Sequence, residues 1–352
     1  MRTIRQLAVI VKYRLIAARN ALRTLHTQSR LKLATILGLS LFLWVGLFRF
    51  AWEAFLWVED QNEIVADLVT SFIFDIFFFS LGGMLLASNI LMGYGALFGA
   101  EETRLLSTSP VNRRSVFLFK GLETLSFSSW SVVALGVPLF AAYGLTHTPP
   151  VSPVFYPVAV AAMGIYIVLI AAAGQTLNLL FAALFPRRRK EVLIVLLGVV
   201  VAALVAYSLW HLADYRTDKP MQRWMGDLPA RFGFLRHFLL PSHWMSLIFL
   251  GAAQPGAGEF AFPGGMLLST TLALCMAYLV SGVLLYERAC DRVRSAGGAK
   301  LVHSGMWQRI LSRLMGRGHG AMLAKDILYF LRDPSQWLQF AVLLGLLLFY
   351  FL

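Results

Sequence analysis

Apolar runs of about twenty residues or more recur along this chain, and they leave few folds open to it. A backbone that leaves water must satisfy its polar groups within its own segment, so each such run reads as a membrane-crossing helix. Six stretches reach that length, approximately Leu33 to Val58, Ile64 to Leu97, Val116 to Tyr143, Val158 to Phe185, Val192 to Trp210 and Gly265 to Tyr286, and a seventh begins at Trp337. With Gly counted in place of Tyr, roughly 63% of the 352 residues are apolar, against about 45 to 50% in soluble domains. A soluble globule cannot bury that surplus. The expected fold class is all-α, a polytopic membrane protein of six transmembrane helices plus a partial seventh.

The last run holds 16 residues, Trp337 to Leu352. At about 1.5 Å each they cover about 24 Å of a hydrocarbon core about 30 Å thick. The sequence therefore predicts a chain that ends inside its own seventh span, as a truncated frame or a fragment.

Net charge is +13, and its distribution sets the orientation. Lys and Arg number eight in residues 1–32, four in 98–121, four in 186–191 and nine in 288–335, which is 25 of 31 on one side of the expected bundle. By the positive-inside rule that side is cytoplasmic and carries the N-terminus. The excess of positive charge is thus a topology signal, and nucleic acid is not an expected partner. Cys275 and Cys290 cannot build a disulfide framework, and no Cys/His cluster suggests a metal.

Ahead of the first span, Ile4, Leu7, Val11, Leu15, Ala18, Leu22 and Leu25 recur at steps of three and four, with Arg5, Lys12, Arg19 and Arg23 on another face. Such a helix lies in the membrane interface or packs on another cytoplasmic element, and Arg14, at its apolar edge, must snorkel. The domain plan is an amphipathic helix over 1–31, a six-span unit over 32–287, a cytoplasmic connector over 288–335 with a helix from about Met306 to Leu331, and the start of a seventh span over 336–352. Within the six-span unit, 211–264 reads as short helices on or in the outer leaflet, anchored by Trp224 and Trp244. A basic helix followed by a span occurs at both ends of the chain, which suggests that a second repeat begins near residue 306.

Between the second and third spans, Glu101-Glu102-Thr103-Arg104-Leu105-Leu106 leads to Pro110 and then to Arg113 and Arg114. Acids at the start suit a helix dipole, and Pro110 pushes the residue before it out of the α region, so a short helix is expected at about 100–110. The acidic pair, Thr-x-Leu-Leu, Ser/Thr-x-Pro-Val, Arg-Arg and a span opening with Phe-Lys-Gly resemble the ABC-2 type permeases, membrane subunits of bacterial ABC exporters. The basic N-terminal helix, Leu240-Pro241-Ser242-His243-Trp244 and the stretch from Lys325 to Trp337 agree with that resemblance.

The resemblance implies a permease subunit that couples ATP hydrolysis in a separate ATP-binding subunit to substrate export. It implies that the chain is not an enzyme, binds no cofactor itself and leaves ATP and Mg to that subunit. Its implied partners are the ATP-binding subunit, membrane lipid and a second permease half or second copy, in a bacterial inner membrane. The coupling surface then falls on Glu101, Glu102, Thr103, Arg104, Leu105, Leu106, Pro110, Arg113 and Arg114. No Gly-x-x-x-x-Gly-Lys-Ser/Thr motif occurs; Gly297-Gly298-Ala299-Lys300-Leu301 lacks both the Gly beside Lys and the following hydroxyl.

Ionisable groups inside the membrane are expensive and default to functional hypotheses. Asp75 and Gln175 fall near the midplane, with Glu123 and Asn178 nearer the cytoplasm. A polar pathway lined by these four is one reading, and hydrogen bonding between helices is the other. Arg49 and Glu53 sit one turn apart and are expected to pair. The alternatives to a transporter subunit are a membrane-embedded enzyme, or a channel or scaffold without nucleotide coupling. Against the enzyme, all seven histidines fall in loops or near interfaces and no HExxH or GxSxG occurs.

Overall fold

The computed structural model describes residues 2–24, 30–99, 101–108, 110–184, 233–254 and 258–296, and every regular element among them is helical. In chain order these are α1 (Arg2–Thr24), α2 (Arg30–Glu59), α3 (Glu63–Tyr94), α4 (Glu101–Thr108), α5 (Arg113–Thr146), α6 (Phe155–Leu184), α7 (Pro241–Ala253) and α8 (Ala261–Ala296). A π-helical turn, Gly95–Gly99, joins α3 to α4, and a 3-10 turn, Gly233–Arg236, precedes α7.

Four segments are long and apolar enough to cross a membrane: Leu37–Glu59, Ile64–Phe98, Phe155–Leu184 and Ala261–Val293. Counting α5, whose limbs Arg113–Trp130 and Val132–Thr146 meet at 41°, raises them to five. The expected spans at 192–210 and from Trp337, the connector helix and Trp224 lie outside the described residues. The four or five candidate spans among the described residues are thus compatible with a polytopic membrane protein.

Alternating chain direction gives the bundle two ends. One holds α1, α4, the start of α5 and the last turns of α6 and α8; the other holds the α2–α3 and α5–α6 links. The first is the basic end. Within the bundle α8 packs on α6, α2 on α5, and α3 on both α6 and α7. Where lipid replaces water, such contacts depend on close van der Waals fit and interhelical hydrogen bonds. Gly82 shows the fit: a Cβ there would collide with the Tyr166 hydroxyl, which instead reaches across to donate to the Phe78 carbonyl at 2.8 Å. Around this contact Phe78 meets Phe74, Phe140 and Phe249 at centroid distances of 6.1, 6.0 and 5.1 Å, joining α3, α5 and α7 in one aromatic core.

Pro138 sits inside α5 and has no N–H, so the Ala134 carbonyl one turn earlier loses its helical donor. The Trp44 indole of α2 donates to that carbonyl at 2.8 Å. An orphan backbone acceptor in the apolar layer is thereby satisfied by the neighbouring helix.

The segment from 233 to 253 is drawn into the bundle. Its α7 carries buried Trp244, Met245, Ile248, Phe249 and Ala252, and its C-terminal Ala253 carbonyl accepts from Ser152 N–H in the α5–α6 link. Trp244 is only 6% exposed, and its indole donates to the Phe238 carbonyl at 2.7 Å, so it fills the core and does not anchor the surface.

Candidate functional site: a charged junction of α1, α4 and α5

Local chemistry builds the junction first. The Asn112 side chain accepts from Arg114 N–H at 3.0 Å and caps α5, after the turn that Pro110 begins. Thr103, 7% exposed, donates to the Ala96 carbonyl at 2.7 Å, which ties α4 back to the π-helical turn. From α1, the Gln6 amide oxygen accepts from Asn112 N–H at 3.1 Å and the Ser115 hydroxyl at 3.3 Å.

On this frame stands a ring of four charges. Lys120 of α5 is 2% exposed and its Nζ meets Glu102 of α4 at 2.8 Å and Glu123 of α5 at 2.7 Å. Arg14 of α1 reaches the same two carboxylates, at 2.8 Å to Glu102 and 2.5 Å to Glu123. Two cations face two carboxylates, so the ring is neutral, and the Phe119 face lies 5.4 Å from the Lys120 ammonium. A buried ammonium without anions would be too costly to hold its charge, and the carboxylates meet that requirement. The ring joins three separate helices, so moving α4 means moving its charges relative to α1 and α5.

The residues expected from sequence distribute unevenly around this ring. Glu102 is in it and Thr103 is beneath it; Leu105 is 70% exposed, Leu106 half-buried, and Pro110, Arg113 and Arg114 are exposed. Glu101 and Arg104 stand on the α4 backbone, and their side chains lie outside the described ones. Of the four expected pathway residues, Glu123 belongs to the ring. Gln175 comes close to it, its amide donating to the Gly121 carbonyl at 3.0 Å, and Asn178 is buried three residues further along α6. Asp75 stands apart in a second cluster.

That cluster is fully buried at Asp75. His243 Nδ1 of α7 lies 3.0 Å from Oδ1, and Arg236 Nε lies 3.5 Å from Oδ2. Arg236 also donates to the Ser71 hydroxyl at 3.0 Å and rests 4.0 Å from the centre of the Phe72 ring. Here Asp75 fastens the 3-10 turn and the first turn of α7 to α3. Sequence reasoning missed Arg14, Lys120, Arg236 and His243 as partners. Only the Lys120–Glu123 spacing of three was a readable signal. The Arg49–Glu53 pair is present at 2.7 Å on the exposed side of α2.

No curated protein and no solved structure matches the chain. A family model described as "Putative ATP-binding cassette" matches residues 24–352. That finding corrects the resemblance to ABC-2 type permeases and overturns the permease and exporter function that the resemblance implied. Because the description attaches ATP to the family itself, it also overturns the expectations of a non-enzyme and of ATP and Mg held only by a partner. Membership is consistent with partnership in an ATP-binding-cassette transporter. Nucleotide binding asks for a backbone cradle around phosphate and oxygen ligands around Mg. Among the described residues there is no strand from which such a cradle springs, no metal-holding group of three His, Cys, Asp or Glu side chains, and the buried Lys120 is already engaged by two carboxylates. The charge ring therefore does not itself supply a cradle for a nucleotide's phosphates. The match nonetheless runs across every described helix from α2 to α8, and on that extent the chain belongs to the ATP-binding-cassette family of that description.

Proposed function

We propose that this chain is a membrane-embedded helical member of an ATP-binding-cassette assembly, and that the ring of Arg14, Glu102, Lys120 and Glu123 carries nucleotide-linked movement between α4 and the bundle. The observation that supports this most directly is the ring itself: an eight-residue helix tied through ion pairs to two long ones, one of them through the buried Lys120. The exposed Leu105, Arg113 and Arg114 beside it offer a contact surface for other polypeptides of the assembly. In this reading the basic end faces the cytoplasm of a bacterial cell, and the apolar faces of α2 and α8 meet lipid.

The test uses the tagged full-length chain, purified from membranes in mild detergent with whatever accompanies it. ATP hydrolysis is measured, and a photoreactive ATP analogue reports which polypeptide carries nucleotide. Glu102→Lys, which places three cations around one carboxylate, is expected to lower turnover at least fivefold while the chain remains in the membrane fraction. Wild-type turnover by both Glu102→Lys and Glu123→Lys would overturn the proposal.

A further inference from the structure

Helix α1 carries no acidic residue, and its Arg5, Lys12, Arg14, Arg19 and Arg23 are all exposed. Val9, Tyr13, Leu15 and Ile16 are exposed as well. Among the described residues its polar attachments are Gln6 to the start of α5 and Arg14 to the charge ring. The ring has an uneven construction: Lys120 is buried and fixed on α5, whereas Arg14 is 48% and Glu102 45% exposed. Removing Arg14 leaves Lys120 between two carboxylates with one negative charge in excess, shared by a Glu102 that water already reaches. Both a docked and an undocked α1 are therefore electrostatically tolerable.

We infer that α1 is a strap released by anionic phospholipid. It lies along α5 while Arg14 completes the ring, and it transfers to the bilayer surface when phosphate headgroups compete for Arg14 and its four exposed basic neighbours. Charge complementarity selects this occupant, because an anionic surface matches a helix of one sign of charge, and the exposed apolar side chains suit the headgroup boundary. The inference rests on the membrane-embedded reading above and adds a control to it.

The strap is tested without nucleotide, so its failure is distinguishable from failure of the proposed function. Gln6→Cys and Ser115→Cys, whose native side chains meet at 3.3 Å, are introduced into the full chain with Cys275 and Cys290 changed to Ser. Oxidative crosslinking is compared in nanodiscs of phosphatidylcholine and of phosphatidylcholine with phosphatidylglycerol at about 40 mol%. Yield is expected to fall about fivefold in the anionic discs, given several basic side chains that each gain near anionic lipid. Arg14→Gln is expected to give low yield in both, since with Gln6 already replaced by Cys neither polar attachment remains. Equal yield in both discs from the double-Cys chain that retains Arg14 overturns the inference. A matching fall in neutral discs on adding soluble inorganic phosphate also overturns it, because the competitor is then free anion.

Discussion

Lys120→Met isolates the electrostatic logic of the junction. The ammonium is 2% exposed and holds Glu102 and Glu123 at 2.8 and 2.7 Å, so its removal leaves Glu123, 15% exposed, with Arg14 alone. Breaking a buried pair by deleting one partner costs about 3–5 kcal/mol. The value here is lower, because Arg14 still bridges both carboxylates and Glu102 is 45% exposed, where water screens the residual charge. The expected loss is about 2–3 kcal/mol for Lys120→Met and about 1 kcal/mol for Arg14→Met, whose side chain is half-solvated. Adding Glu123→Gln to Lys120→Met is expected to recover about half of the first loss, because the pair is then replaced by neutral groups of similar volume. Reversible unfolding in mixed micelles, followed by circular dichroism, gives the stabilities of the parent chain and these three variants. If Lys120→Met and Arg14→Met cost the same, or if Glu123→Gln adds to the loss, the ring is not organised around a buried ammonium and the reasoning fails.

Trp44→Phe removes the donor to the carbonyl that Pro138 leaves unpaired, and should cost about 1 kcal/mol; introducing Pro138→Ala into that variant should restore the loss in the same micelle assay, since the helix can then supply its own N–H. Gly121→Ala drives a Cβ onto the Tyr278 hydroxyl and to 2.8 Å from the Gln175 side-chain oxygen, whereas a Cβ at Gly164 meets nothing within 4 Å. The first should destabilise by about 1–3 kcal/mol and the second should stabilise by up to about 1 kcal/mol through helix propensity, both read as shifts in thermal unfolding. Asp75→Asn strips the anion from between Arg236 and His243, so proteolysis at the 3-10 turn should accelerate at least tenfold, with partial recovery in the double variant that also carries Arg236→Gln.

The sequence by itself determined the helical character of the chain, because runs of apolar side chains long enough to cross a bilayer leave the backbone only internal hydrogen bonds. Hydropathy alone marks approximately Leu33 to Val58, Ile64 to Leu97, Val158 to Phe185 and Gly265 to Tyr286, each of which overlaps a helix long and apolar enough to cross a membrane. Local chemistry was legible in part: the break at Pro110 was read from the sequence, whereas the Asn112 cap and the Lys120–Glu123 pair came from the structure. Family was a different matter, since degenerate motifs pointed to permeases and the match over 24–352 points to another description. Partner choice across the bundle could not be read, because hydropathy and periodicity are properties of one segment. Arg14, 88 and 109 residues from its carboxylates, looked like a cation that must snorkel, and its role emerged only when α1 was laid beside α5. Asp75 looked like a midplane charge, and only the inward path of 233–253 brought His243 to it from 168 residues away. Tertiary structure decided these pairings because a buried charge takes whichever opposite charge the packing of helices delivers, and that delivery depends on three-dimensional distance.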